Sequence, residues 1–460
     1  MTANPLGTEP IGKLILKYSL PAIISMLVNA IYNMVDQIFI GWGIGFLGIA
    51  ATNVAFPLNT ISTAIALLIG IGGASNFSLS LGRGKDDDAR TYVGNTITLL
   101  LLLGTALGVL SLVFLKPMLY LCGATDQVMP YAIPYTLIIC IGLPFMVLTI
   151  GACHLIRADG NPRFAMWCMM SGAIFNLIFD PIFLFVFDMG IEGIALATTL
   201  GQILSGVIGI VYLLRKFHSV NLTKSSFIPR LKISTAIFAL GAAGFVNQIA
   251  MTVVQLLLNN SFKHYGALSP YGSEIPLAAV GALSKVALLF FGVCIGIAQG
   301  CQPINGFNYG AKKYDRVQQT LRTALIAATC TSLLSFATIQ LFPRQIISIF
   351  GESEPLYIQF GLRIFRIQFF MMFINGIQPV AANFFSAIGK PKIGMFTALT
   401  RQVIFYIPLV LMLPVFWGID GIMFAAPIAD SAAAIIAITF LIREMKIMTR
   451  LRMIEENRMN

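Results

Sequence analysis

Apolar stretches of about 20 residues recur along the whole chain, each interrupted by a short charged or Gly/Pro-rich break. A helix of that length crosses about 30 Å of hydrocarbon. Backbone in lipid must satisfy its own hydrogen bonds, which leaves helices or closed barrels. The apolar runs are continuous rather than alternating, so helices are expected. Composition bears on the solvent: 57% of the residues are hydrophobic and 11% charged, against about 25% charged in a soluble protein. A chain this apolar needs the lipid bilayer as its solvent.

The breaks place spans near 14–40, 49–80, 91–115, 131–156, 163–187, 191–214, 233–262, 276–303, 317–342, 356–386, 393–416 and 419–442. The expected fold class is an all-α polytopic membrane protein of twelve transmembrane helices. Met1 to Pro10 lacks the basic start of a cleavable signal, so none is expected.

Lys and Arg set the orientation. Alternate breaks at 13–17, 83–90, 157–163, 215–232, 312–322, 390–392 and 443–458 hold all but seven of the 30 basic residues. The opposite loops hold only Lys116, Lys263 and Arg344, and the remaining Lys285, Arg363, Arg366 and Arg401 fall inside proposed spans. Both termini are therefore expected on the cytoplasmic side of the plasma membrane. The formal net charge of +11 follows from this spread over short juxtamembrane segments, and no nucleic-acid partner is expected.

The chain also repeats itself. Gly70, Gly84 and Arg90 recur at Gly296, Gly310 and Arg316, a shift of 226; Gly160-Asn-Pro-Arg163 recurs as Gly389-Lys-Pro-Lys392, a shift of 229; Gly190-Ile-Glu-Gly-Ile194 recurs as Gly418-Ile-Asp-Gly-Ile422, a shift of 228. Three ordered echoes at nearly one offset mark a duplicated unit. Corresponding echoes fall on the same side of the membrane, so the repeat is parallel. The expected organisation is a first six-helix bundle over 1–215, a linker over 216–232, a second bundle over 233–445 and a basic tail over 446–460. Two such bundles around a central cavity have the geometry of alternating access. No repeated filter sequence supports a channel.

Further residues carry a family resemblance: the Leu20-Pro21 opening, the run Asn29-Ala-Ile-Tyr32-Asn-Met-Val-Asp36-Gln-Ile-Phe-Ile-Gly41, Pro57, Gly82-Arg-Gly84 and Asn176-Leu-Ile-Phe-Asp180-Pro181. On these the chain resembles the multidrug and toxic compound extrusion (MATE) family of efflux transporters, in its bacterial drug-exporter branch. The resemblance implies export of a small-molecule substrate in exchange for an inward cation. Lipid-linked precursor or polysaccharide flippases share the architecture, and a non-transporting receptor or scaffold is the rival of another class.

An ionisable residue at membrane depth costs about 2.5–3.5 kcal/mol on insertion scales, so it marks a functional candidate. Asp36 shares a helical stripe with Asn29, Tyr32 and Asn33, and Asp180 precedes Pro181 with Asn176 one turn back. By resemblance Asp36, Asn176, Asp180 and Thr198 match the polar cluster of the family's first-half cavity, with Tyr32 and Asn33 beside it. In the second half Gln248, Thr252, Gln255 and Asn259 form an uncharged stripe that is assigned to the substrate cavity. Sodium-coupled relatives use carboxylates on the seventh and tenth spans, where this chain offers Gln255 and Asn375, so a proton rather than sodium is the expected coupling cation. Lys285 and Arg401 are assigned to the substrate cavity as part of an electropositive second-half wall; the alternative is internal pairing with Asp430 and snorkelling.

The seven cysteines form no CxxC, and the three histidines show no ligand spacing. No enzyme activity, cofactor or metal is expected, and the chain is expected to work as a monomer.

Overall fold

A computed structural model describes residues 4–349 and 355–459; Asn460 and the side chain of Arg458, one of the basic residues of the tail, lie outside the described residues. The spans are α1 (Ile11–Gly43), α2 (Phe46–Gly82), α3 (Asp86–Val113), α4 (Met129–Ala158), α5 (Pro162–Val186) and α6 (Gly190–Arg215), then α7 (Leu231–Ala267), α8 (Glu274–Gly310), α9 (Tyr314–Leu341), α10, α11 (Pro391–Trp417) and α12 (Ile419–Met459). Helix α10 is a broken span, Pro355–Gln368 and Met372–Ala387, bent by 42°. Each expected span has its helix, and among the described residues there is no strand.

The duplication extends into irregular places. After α3 the chain turns at Phe114 into a short helix, Leu115–Leu121; after α9 it turns at Phe342 into another, Pro343–Ser348. Helix α12 runs on to Met459. The basic tail is therefore a continuation of the last span; within it Arg452 pairs with Glu456 one turn on, and its Glu455 meets Lys312 from the α8–α9 turn at 2.8 Å.

Inside the first half α4 packs on α2, α3 and α6, while α5 packs on α6 and α1. Between the halves α2 lies on α7 and α8, and α1 on α8. The first turns of α1 put Ile11, Leu14 and Tyr18 into a core cluster with Ile304, Val317 and Phe385 of the second half. One helix thus belongs to both cores.

How tightly the halves meet varies along the membrane normal. On α2 every residue from Ile69 to Ser80 except Asn76 is buried, and on α8 every residue from Gly296 to Gly310 except Phe307 and Tyr309. A helix buried on all sides is wrapped by protein on all sides. Small residues permit this: a Cβ on Gly82 would overlap the Phe307 carbonyl, and one on Gly310 the Leu79 carbonyl. Gln302 seals the contact by donating to the Ile71 carbonyl at 3.1 Å and to Ser75 Oγ at 2.9 Å. Toward the other end burial becomes one-sided, with Asn53 and Phe56 exposed on α2 and Gly281, Lys285 and Leu288 on α8. The halves are closed at the end carrying the basic segments and parted at the opposite end.

Two placements differ from the expected ones. Arg157, expected in a basic loop, is buried in the last turn of α4, and its Nε has no hydrogen-bond partner among the described residues. Arg363, expected inside a span, is level with the first turn of α12, where it meets Asp420 at 2.7 Å. The first helix of α10 begins at Pro355, so Arg363 lies ahead of the bend in the part of the span that starts beside α12.

Candidate functional site

Asp36 sits seven residues before the end of α1 on its buried face, while Asn29 and Asn33 point into the parted cleft. Asn33 Nδ2 donates to Asn29 at its carbonyl, 2.7 Å, and at Oδ1, 2.9 Å. The face of Asp36 meets α5, where Asp180 is buried just ahead of Pro181. Pro181 has no N–H to donate and its ring crowds the preceding turn. The helix answers by widening into a π turn over Ile182–Val186. A π turn beside a functional side chain is a recurring association.

The two carboxyl groups lie against one another. Asn176 Nδ2 donates to Asp180 Oδ1 at 3.0 Å and to Thr198 Oγ1 on α6 at 2.9 Å. Gln37 touches Asp36 and also reaches Thr52 Oγ1 on α2, at 3.4 Å. Tyr32 on α1 and Tyr135 on α4 lie within electrostatic reach of both acids. Asp36 Oδ1 and Asp180 Oδ2 are buried and, among the described residues, receive no hydrogen bond. Two adjacent carboxyl groups, each with an unpartnered oxygen, are suited to hold one shared proton, because one carboxyl then donates what the other accepts.

The structure thus brings together Asp36, Asp180, Asn176, Thr198 and Tyr32 from α1, α5 and α6. Asn33 stays on the cleft side of α1. Tyr135 on α4 and Gln37 were not singled out in the sequence. Gln37 stands next to Asp36, and adjacency on a helix points side chains to different faces. Tyr135 follows Pro134 in an aromatic-rich stretch that reads as packing.

The second half is built differently. On α7 Gln248, Thr252, Gln255 and Asn259 are all half-buried, and Gln255 Nε2 donates to Asn259 Oδ1 at 3.0 Å. Ser284 on α8 donates to Gln255 Oε1 at 3.3 Å, and its neighbour Lys285 is exposed. Arg401 lies on the second π turn of the chain, Thr400–Tyr406. It pairs with Asp430 of α12, whose side chain is 1% exposed, and stacks over the Phe291 ring with 5.4 Å to its centroid. Asn375 of α10 completes the cluster, donating to Asp430 Oδ2 at 2.7 Å. Arg401 is thus paired within the second bundle.

Comparison with known proteins follows from this geometry. The MatE family model matches residues 21–182 and again 244–412, together well over half the chain. The chain belongs to the MATE family. One family model matching both halves is also the duplication seen from outside, and the first match contains Asp36, Asn176 and Asp180. This MATE protein is 24% identical over 430 residues to the multidrug export protein MepA of Staphylococcus haemolyticus, covering 93% of this chain and 92% of that protein. It is 34% identical to the solved chain described as the MATE multidrug transporter DinF-BH, covering 95% and 96% of the two chains with a TM-score of 0.87. A MOP superfamily transporter from Pyrococcus furiosus shares the fold, with a TM-score of 0.90 at 22% identity over 98% of this chain and 99% of that one. As a MATE transporter the chain is an integral membrane protein. Its second match ends before Asp430, so the partner of Arg401 lies outside the matched region.

Proposed function

We propose that this MATE chain is a secondary active exporter that drives drugs or toxic metabolites outward in exchange for protons, with the Asp36–Asp180 pair as the proton site. The observation that carries the reading is the adjacent pair of buried carboxyl groups, each with an oxygen that receives no hydrogen bond among the described residues, beside a cleft that parts the two halves. The printed roles of MepA and DinF-BH, a multidrug export protein and a multidrug transporter, support drugs as cargo. The absence of a second acid at Gln255 and Asn375 supports a proton over sodium.

The mechanism follows from the placement of α1. Near its start the helix is packed into the second half; near its end it holds Asp36 against the first half. A proton entering the pair from the parted side removes one buried charge, loosening the hold that Gln37 and Asn176 have on the acids. Any shift of α1 is then felt at α8, where the halves are closed. Cargo and proton compete for one open cleft, and closing one end opens the other. In this reading the basic end is cytoplasmic, both termini lie there, and residues 216–232 link two rocking units over 1–215 and 233–445.

Purified protein in sodium-free proteoliposomes with an imposed pH gradient tests the proposal. Wild-type protein is expected to concentrate a fluorescent drug against its gradient, and Asp36→Asn or Asp180→Asn to abolish this while leaving downhill binding of the dye intact. Asn keeps the shape and polarity of the site but cannot exchange a proton. Uphill transport at wild-type rates in both variants would refute the assignment.

A further inference from the structure

The duplication produces two lateral grooves on the outer wall of the bundle, one per half. In the first half a groove of about 640 Å³ runs between α3 and α6, past Leu101, Ile210 and Leu214. In the second a groove of about 390 Å³ runs between α9 and α12, past Leu325, Ile438 and Ile442. Ile210 and Leu214 map onto Ile438 and Ile442 by the shift of 228 that carries Gly190 onto Gly418. The two grooves are one feature repeated, both reaching the basic end.

Their polar rims differ. The second groove has two cations in its own wall, Arg322 and Lys446, with Thr449 one turn beyond. Both side chains belong to exposed residues, and neither takes part in an ion pair among the described residues. At the corresponding positions the first half has Thr96, buried against Gly73, and His218, whose backbone N–H donates to Asp159 at 3.2 Å. No cation lines the first groove. An apolar slot leading from the middle of the membrane to two such cations matches one kind of molecule: an acyl chain ending in an anionic headgroup. Basic recesses between transmembrane helices recognise such headgroups by charge.

We propose that the groove between α9 and α12 is a binding site for an anionic phospholipid, its acyl chain along Leu325, Ile438 and Ile442 and its phosphate held by Arg322 and Lys446. The first groove takes acyl chains without regard to headgroup charge. A lipid seated in the second groove touches α9, α10 and α12 at once, so it acts on the packing of the second half rather than on the proton site.

Native mass spectrometry of the whole protein, delipidated and then titrated with phosphatidylglycerol or phosphatidylcholine of identical acyl chains, tests this. Wild-type protein is expected to retain one phosphatidylglycerol in preference by about 30-fold, as two cations near an anionic headgroup imply. The Arg322→Gln/Lys446→Gln variant is expected to lose that preference. The control Arg443→Gln/Arg450→Gln removes the same charge from the same end of α12 outside the groove and is expected to keep it. Equal retention of both lipids by wild type overturns the site, as does an equal loss in the control, which would make the attraction general surface charge. Thermal unfolding in phosphatidylcholine nanodiscs checks the fold, and if the double variant unfolds early, Lys446→Gln alone, at an exposed position, carries the comparison.

Discussion

Breaking the Arg401–Asp430 pair separates a structural charge from one that meets cargo. The Arg401 side chain is 19% exposed and that of Asp430 1%, so neither charge is well solvated once its partner is gone. Removing one member of a buried pair costs about 3–5 kcal/mol, because the other is left buried and uncompensated. Asp430 also accepts from Asn375, and a hydrogen bond to a charged group contributes about 1.5–3 kcal/mol. Arg401→Met and Asp430→Leu should each lower unfolding stability by about 3–5 kcal/mol. The double variant should lose less than the sum, since no orphaned charge remains. A coupling of about 2–3 kcal/mol, at the upper end for residues in contact, is expected. Unfolding in mixed dodecylmaltoside and SDS micelles measures it, and uptake of a cationic and an anionic dye by proteoliposomes of the single variants completes the test. The folded fraction should transport both dyes with equal losses. Additive destabilisation, or a loss confined to the anionic dye, would refute the reasoning and return Arg401 to the cleft wall.

Three further outcomes are expected. Gly310→Val adds atoms where a Cβ already overlaps the Leu79 carbonyl, so it should spread the closed end; a cysteine introduced at Ser78 should then label several-fold faster with an impermeant thiol reagent than in the Gly310 background, and unchanged labelling would count against the closure described. Asn95→Ala removes donors to the Ser226 and Ile228 carbonyls and the acceptor for Arg230 N–H; with the linker freed from α3, tryptic cleavage between 215 and 232 should accelerate while the spans stay protected, at a stability cost of about 1–3 kcal/mol. Tags placed beside Thr2, which lies outside the described residues, and beside Asn457 should both resist an impermeant label in intact cells, and labelling of either would reverse the orientation.

Much of this protein was legible in its residues. Span count and helical class followed from run length and from the cost of unsatisfied backbone in lipid, both properties of the chain taken locally. The duplication was legible partly because Gly190 and Gly418 serve turns at positive φ whose backbone needs do not depend on distant partners; Gly84 also has positive φ, whereas its counterpart Gly310 is required by close packing on Leu79 of the other half. Asp36 and Asp180 stood out because a carboxyl at membrane depth is expensive wherever it sits. That they face each other was decided only by the packing of α1 on α5. The same holds for Tyr135, whose role comes from its neighbours, and for Arg363, which the fold sets beside Asp420 of α12. Arg401 and Asp430 are 29 residues apart, and no local pattern says whether they meet. Local chemistry sets which residues a membrane makes costly; only the tertiary structure decides which of those costs are offset by a partner and which are left open to a proton or a ligand.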